Sequence, residues 1–89
     1  MIKVISIQRA VDPDIKRVVC YGFRYIVPTY VDYVAIDEDG AIMGYSLEPE
    51  IVNLERGMGY WSNGSNTIEP FDMGTVTFEG NWKESLVRV

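Results

Sequence analysis

The segment from Tyr33 to Tyr45 sets Asp37-Glu38-Asp39-Gly40 between two apolar runs, Val34-Ala35-Ile36 and Ala41-Ile42-Met43. It reads as a β-hairpin with its turn written into the sequence. Asp39 tolerates unusual backbone angles and Gly40 supplies a residue free to take positive φ, so a three-residue loop closing on a left-handed glycine is expected there. This constrains the fold more than the function: it points to an antiparallel, β-rich domain.

A chain of 89 residues cannot divide its apolar surface between two cores, so a single domain spanning residues 1–89 is expected. The hydrophobic fraction of 47% exceeds that of disordered sequences, while the surface-to-volume ratio of so small a domain is poor. Part of that surface is therefore expected to be buried against another copy, making a homo-oligomer.

Strand patterns continue on both sides of the hairpin. Ile2, Val4 and Ile5 or Ile7 form an opening strand, and Asp12-Pro13-Asp14 is turn chemistry that can start one helical turn. Arg17 to Val27 reads as one long strand, with Val19, Tyr21, Phe23, Tyr25 and Val27 on the core face and Val18, Cys20, Gly22, Arg24 and Ile26 opposite. Val31–Asp37 and Ala41–Leu47 are the hairpin arms, the second stopped by Pro49. Asn53 to Pro70, crowded with glycine, serine and asparagine, reads as a long loop. Met73 to Glu79 alternates again, Asn81 caps a helical turn at Trp82, and Val87-Arg88-Val89 closes the chain as an edge strand. The expected class is mainly β, a β-dominated α+β arrangement of about six strands with one or two short helical turns, in a small antiparallel sheet, sandwich or partly open barrel.

Catalytic chemistry is scarce. The absence of histidine removes the commonest general base and metal ligand. A lone cysteine, Cys20, forms no internal disulfide and no classical zinc site, and its apolar setting makes it a small core residue. No phosphate-binding glycine loop is present, and no cofactor is implied. Asp37, Glu38 and Asp39 offer oxygen ligands for a hard cation, but their spacing departs from the known loop pattern, so no metal is expected. The chain reads as a non-enzyme.

Partners are bounded by charge. Eight Lys+Arg against thirteen Asp+Glu give a formal charge of −5, which opposes direct binding of a nucleic-acid duplex. No run approaches the roughly 18 apolar residues of a membrane span, and the opening residues lack a signal-peptide pattern, so a cytoplasmic protein without membrane contact is expected.

Two binding surfaces remain. In the first, Tyr60, Trp61, Asn63 and Asn66 offer rings and amides that, with Arg24 or Arg56 alongside, suit a small nucleotide stacked on a ring with its phosphates on guanidinium. The alternative is that Trp61 plugs the core and the amides merely turn the chain. In the second, Asp37, Glu38, Asp39, Glu48 and Glu50 form an acidic surface that suits a basic patch on a protein partner, or serves solubility alone.

Val34 to Gly40, Tyr45 to Ile51, the Tyr60-Trp61 pair and Asn81-Trp82-Lys83-Glu84-Ser85-Leu86 together resemble small accessory proteins of tailed bacteriophages. The resemblance covers about the C-terminal two thirds of the chain and rests on a hairpin turn, a proline stop and an aromatic anchor, so it brings no catalytic or binding residue with it. It implies a phage protein acting in the host cytoplasm, with three versions of its role. The leading one is a non-catalytic inhibitor that binds a host defence or regulatory factor through the acidic hairpin and the aromatic loop. The others are sequestration of a nucleotide signal, with the pocket at a subunit interface, and a minor structural part of the virion.

Overall fold

The computed structural model describes residues 14–54, 56–64 and 68–89. Among them are eight strands: β1 (Ile15–Cys20), β2 (Phe23–Pro28), β3 (Tyr33–Ile36), β4 (Ala41–Tyr45), β5 (Glu50–Val52), β6 (Tyr60–Ser62), β7 (Phe71–Thr75) and β8 (Val87–Arg88). They are accompanied by a short 3-10 turn at Trp82–Glu84. The mainly β expectation holds, with more strands than the sequence suggested. They form a four-stranded antiparallel sheet in the order β7-β4-β3-β8 and two separate ribbons, β1-β2 and β5-β6. The opening strand expected at Ile2–Ile7 and the turn at Asp12-Pro13 lie outside the described residues.

The β3–β4 hairpin forms as its turn chemistry dictates. Asp37 N–H donates to the Ala41 carbonyl at 2.9 Å, and Gly40 N–H donates to the Asp37 carbonyl at 2.9 Å. Asp39 Oδ1 accepts the Ala41 N–H at 3.0 Å. Gly40 takes φ +92°, and a Cβ there would run into the Val76 carbonyl, so both backbone angle and space demand glycine.

The long strand expected from Arg17 to Val27 is instead a second hairpin. It reverses at Tyr21-Gly22, both at positive φ (53° and 81°), which is the two-residue turn whose twist matches that of its strands. The reversal resets the alternation. Val18 pairs with Tyr25 and Lys16 with Val27, so Val18, Cys20 and Val27 are buried while Val19 and Phe23 stand 69% and 61% exposed. In β1 the expected faces are thus exchanged, whereas in β2 Tyr25 and Val27 turn to the core and Arg24 and Ile26 away from it, as the alternation gave. Tyr21 tolerates its left-handed backbone because its hydroxyl is anchored, donating toward the carbonyls of Ser85 (2.6 Å) and Val34 (3.1 Å).

The core lies on both sides of β3, whose Val34, Ala35 and Ile36 are all buried. Val34 and Ile36 pack with Val18, Cys20, Val27, Val31 and Ile42, under the β1–β2 ribbon. Ala35 packs with Tyr45 and Trp61, under the β5–β6 ribbon. The central sheet is therefore a layer covered on one face by each ribbon. Cys20 is a buried core residue, and burial pushes its thiol pKa up. Two smaller differences follow from the same packing. Part of the expected loop at 53–70 is strand β6, drawn in by Trp61, and β7 lies earlier than Met73–Glu79 because Phe71 and Met73 pack against the core.

Candidate functional site at the hairpin tip

The three carboxylates of the β3–β4 turn are held by backbone donors rather than left free. Asp37 Oδ1 accepts the Trp61 N–H at 2.8 Å. Glu38 Oε1 accepts the Gly59 N–H at 2.9 Å. Asp39 Oδ1 caps its own turn at Ala41. The acidic tip thereby ties the β5–β6 ribbon to the central hairpin. Asp37 is half-buried, and its pKa is raised, chiefly by burial; the bond from Trp61 N–H opposes the rise and the Asp39 charge adds to it.

Beside the tip is a cleft of about 280 Å³ lined by Asp37, Glu38, Asp39, Thr77, Phe78 and Trp82, together with Gly40, Val76 and Gly80. Trp82 is positioned by the 3-10 turn, which Asn81 caps as expected by accepting the Lys83 N–H at 3.0 Å. Its ring meets Trp61 edge-on, with centroids 6.5 Å apart. Phe78 meets Tyr21 edge-on at 6.3 Å. Three acidic residues and two aromatic ones thus line the same cleft, a composition that suits a cationic side chain, which gains from both charge and ring quadrupole. Lys83 already stands over the Trp82 ring at 5.8 Å, an intramolecular instance of that interaction. Among the described residues, no three His, Cys, Asp or Glu side chains converge as a metal site.

The nucleotide-site residues are not gathered. Trp61 is 7% exposed, and its indole N–H is used toward the carbonyls of Ile36 (3.1 Å) and Trp82 (3.3 Å). It is a core plug, not an exposed stacking surface. Its neighbour Tyr60 is 39% exposed on the other face of β6. Asn63 donates its amide to the Ile68 carbonyl at 3.0 Å. Arg24 sits near the tip of the β1–β2 ribbon, opposite Val19, with the central sheet between that ribbon and Tyr60. Arg56 is exposed in the connection between β5 and β6, and Asn66 lies outside the described residues. Of the acidic set, Glu48 and Glu50 are exposed on either side of the buried Pro49, away from the cleft lining.

Thr77, Phe78 and Trp82 are the site residues that sequence reasoning did not select. Asn81-Trp82 carried a signal, a capped aromatic, but only the fold brings it to the hairpin tip. No family model, curated protein or solved structure matches the chain. No helix among the described residues is long and apolar enough to cross a membrane.

Proposed function

We propose that this protein is a non-catalytic inhibitor that binds a host protein during phage infection, in the host cytoplasm, by receiving a lysine or arginine of that protein at the acidic hairpin tip. The observation that carries this reading is the cleft itself: Asp37, Glu38 and Asp39, fixed by backbone hydrogen bonds, line it together with Phe78 and Trp82. Carboxylates held in place before a partner arrives lose little conformational freedom on binding. The overall charge of −5 supports it, since an acidic protein is steered toward a basic partner. The phage resemblance supports it too, because three of its four segments, Val34–Gly40, Tyr60-Trp61 and Asn81–Leu86, build and brace the tip, the fourth being Tyr45–Ile51.

The nucleotide reading has no comparable support, because Trp61 would have to leave the core to stack on a base. The test is capture of host proteins on wild-type protein and on an Asp39→Lys variant with Thr77→Lys beside it. A partner retained by wild type, lost by both variants and released as salt rises supports the reading. A partner retained equally by all three, or copurification with virions instead of a host protein, overturns it.

A further inference from the structure

Among the described residues, the β1–β2 ribbon is covered on one face only. Its inner face, Val18, Cys20 and Val27, belongs to the core. Its outer face carries Ile15, Val19 and Ile26, which are 46%, 69% and 61% exposed. Arg17 and Arg24 stand among them, in register with Ile26 and Val19. Ile15, Lys16, Arg17 and Ile26 border an open groove of about 540 Å³. From Ile15 to Pro28 the sequence holds Lys16, Arg17 and Arg24 and no acid. Lys16 is neutralised by Asp32 at 3.3 Å. Among the described residues, neither arginine has an acidic partner. The acids sit elsewhere: from Thr29 to Val89 the chain has three cations, Arg56, Lys83 and Arg88, against eleven Asp and Glu.

An exposed apolar stripe set with arginines has the composition of an interface centre, where apolar area and guanidinium groups are both enriched. The same molecule displays the complementary surface, an acidic tip with aromatic walls. We infer that the outer face of the β1–β2 ribbon docks on the hairpin tip of a second copy of this chain, Arg17 or Arg24 entering the cleft while Ile15, Val19 and Ile26 cover apolar surface beside it. The contact joins two different surfaces, so each copy offers one of each, and association proceeds either to a closed ring or to longer chains. This inference rests on the proposed reading of the cleft as a site for cations. It adds that self-association and partner binding compete for it.

The test is sedimentation equilibrium of the full chain across a concentration series. Two single variants at exposed positions isolate the halves of the contact: Arg17→Glu spoils the ribbon and Thr77→Lys fills the cleft with a like charge. Thermal unfolding by circular dichroism confirms that both keep the fold. Wild type is expected to associate with rising concentration, at least tenfold less tightly when salt is raised, and each variant alone to be monomeric. Mixed in equal amounts, the variants are expected to form a one-to-one dimer, because the intact ribbon of one meets the intact cleft of the other. Wild type that stays monomeric at every concentration overturns the inference and points to residues 1–13 or a foreign protein as the cover of the ribbon. Association that survives Thr77→Lys but not Arg17→Glu also overturns it, placing the ribbon on some other surface. Neither result touches capture of a host protein, which Arg17→Glu leaves intact if the cleft reading holds.

Discussion

Glu38 and Gly59 hold each other from both sides: the Glu38 carboxylate accepts the Gly59 N–H at 2.9 Å, and the Gly59 carbonyl accepts the Glu38 N–H at 3.4 Å. The two residues are 21 apart in sequence. Their pairing fastens the start of β6, the strand carrying Trp61, to the tip of the β3–β4 hairpin that lines the cleft. Replacing Glu38 by alanine removes the charged acceptor and is expected to cost about 1 kcal/mol of stability. Glu38→Gln keeps an acceptor and is expected to recover most of it. Urea unfolding followed by tryptophan fluorescence measures both.

Gly59 is also a place where no side chain fits. A Cβ built on it meets the Trp82 ring at 2.6 Å and 2.7 Å and the Val52 carbonyl at 3.2 Å. The ring cannot retreat freely, since it stands edge-on to Trp61 and its residue begins the capped 3-10 turn. Gly59→Ala is therefore expected to destabilise by roughly 1–3 kcal/mol, the usual range for overpacking. It should also displace Trp82 from the cleft. A near-ultraviolet circular dichroism spectrum unchanged from wild type would show that the ring is not held as described.

Ser85 is a buried polar side chain of the core, 3% exposed. Its hydroxyl oxygen accepts the Ile36 N–H at 2.8 Å, while its proton is directed to the Trp82 carbonyl at 2.7 Å or the Ile36 carbonyl at 3.2 Å. Without it, the Ile36 N–H at the end of β3 would have neither water nor protein to bond. Ser85→Ala is expected to cost about 1–3 kcal/mol, the penalty of an unsatisfied buried donor, although alanine differs by one oxygen atom. Hydrogen exchange at Ile36 should accelerate more than at Val34. Equal protection of the two amides would mean that another acceptor had replaced the hydroxyl.

The parts of this fold legible in the sequence are those whose chemistry is local. Asp39-Gly40 names its turn, Asn81 names its cap, and Pro49 marks the end of an arm, because each acts on backbone within a few residues. The Tyr21-Gly22 turn was hidden by its own flanks: apolar and aromatic residues run through Val18–Val27, and Gly22 and Arg24 both fall on the face the alternation assigns to the outside, so the pattern looks continuous. What stabilises tyrosine at that turn is distant, its hydroxyl reaching the Val34 and Ser85 carbonyls. The candidate site divides along the same line. Its carboxylates were visible as a cluster, whereas Phe78 and Trp82 reach them only through strand pairing and the β7–β8 connection. The sequence left Trp61 between core plug and stacking surface, because its burial depends on Ala35 and Tyr45 across the sheet.

Asp37 links the stability of this site to pH. Its pKa in the folded protein is raised above the unfolded reference of 3.8, burial outweighing the bond from Trp61 N–H. A carboxyl with a raised folded pKa binds its proton more tightly folded than unfolded, so ionisation favours unfolding. Its contribution is fully favourable below the reference value and is lost as pH rises through the folded pKa, after which it is constant. Asp37→Asn keeps a carbonyl oxygen where Oδ1 accepts the Trp61 N–H and removes the titration. The stability difference between variant and wild type is expected to shift in favour of the variant as pH rises through that window, and to stay level above it. Urea midpoints for both proteins from below the reference value to neutrality measure the shift. A shift of the opposite sign would mean that the Trp61 N–H holds the ionised carboxylate more strongly than burial disfavours it.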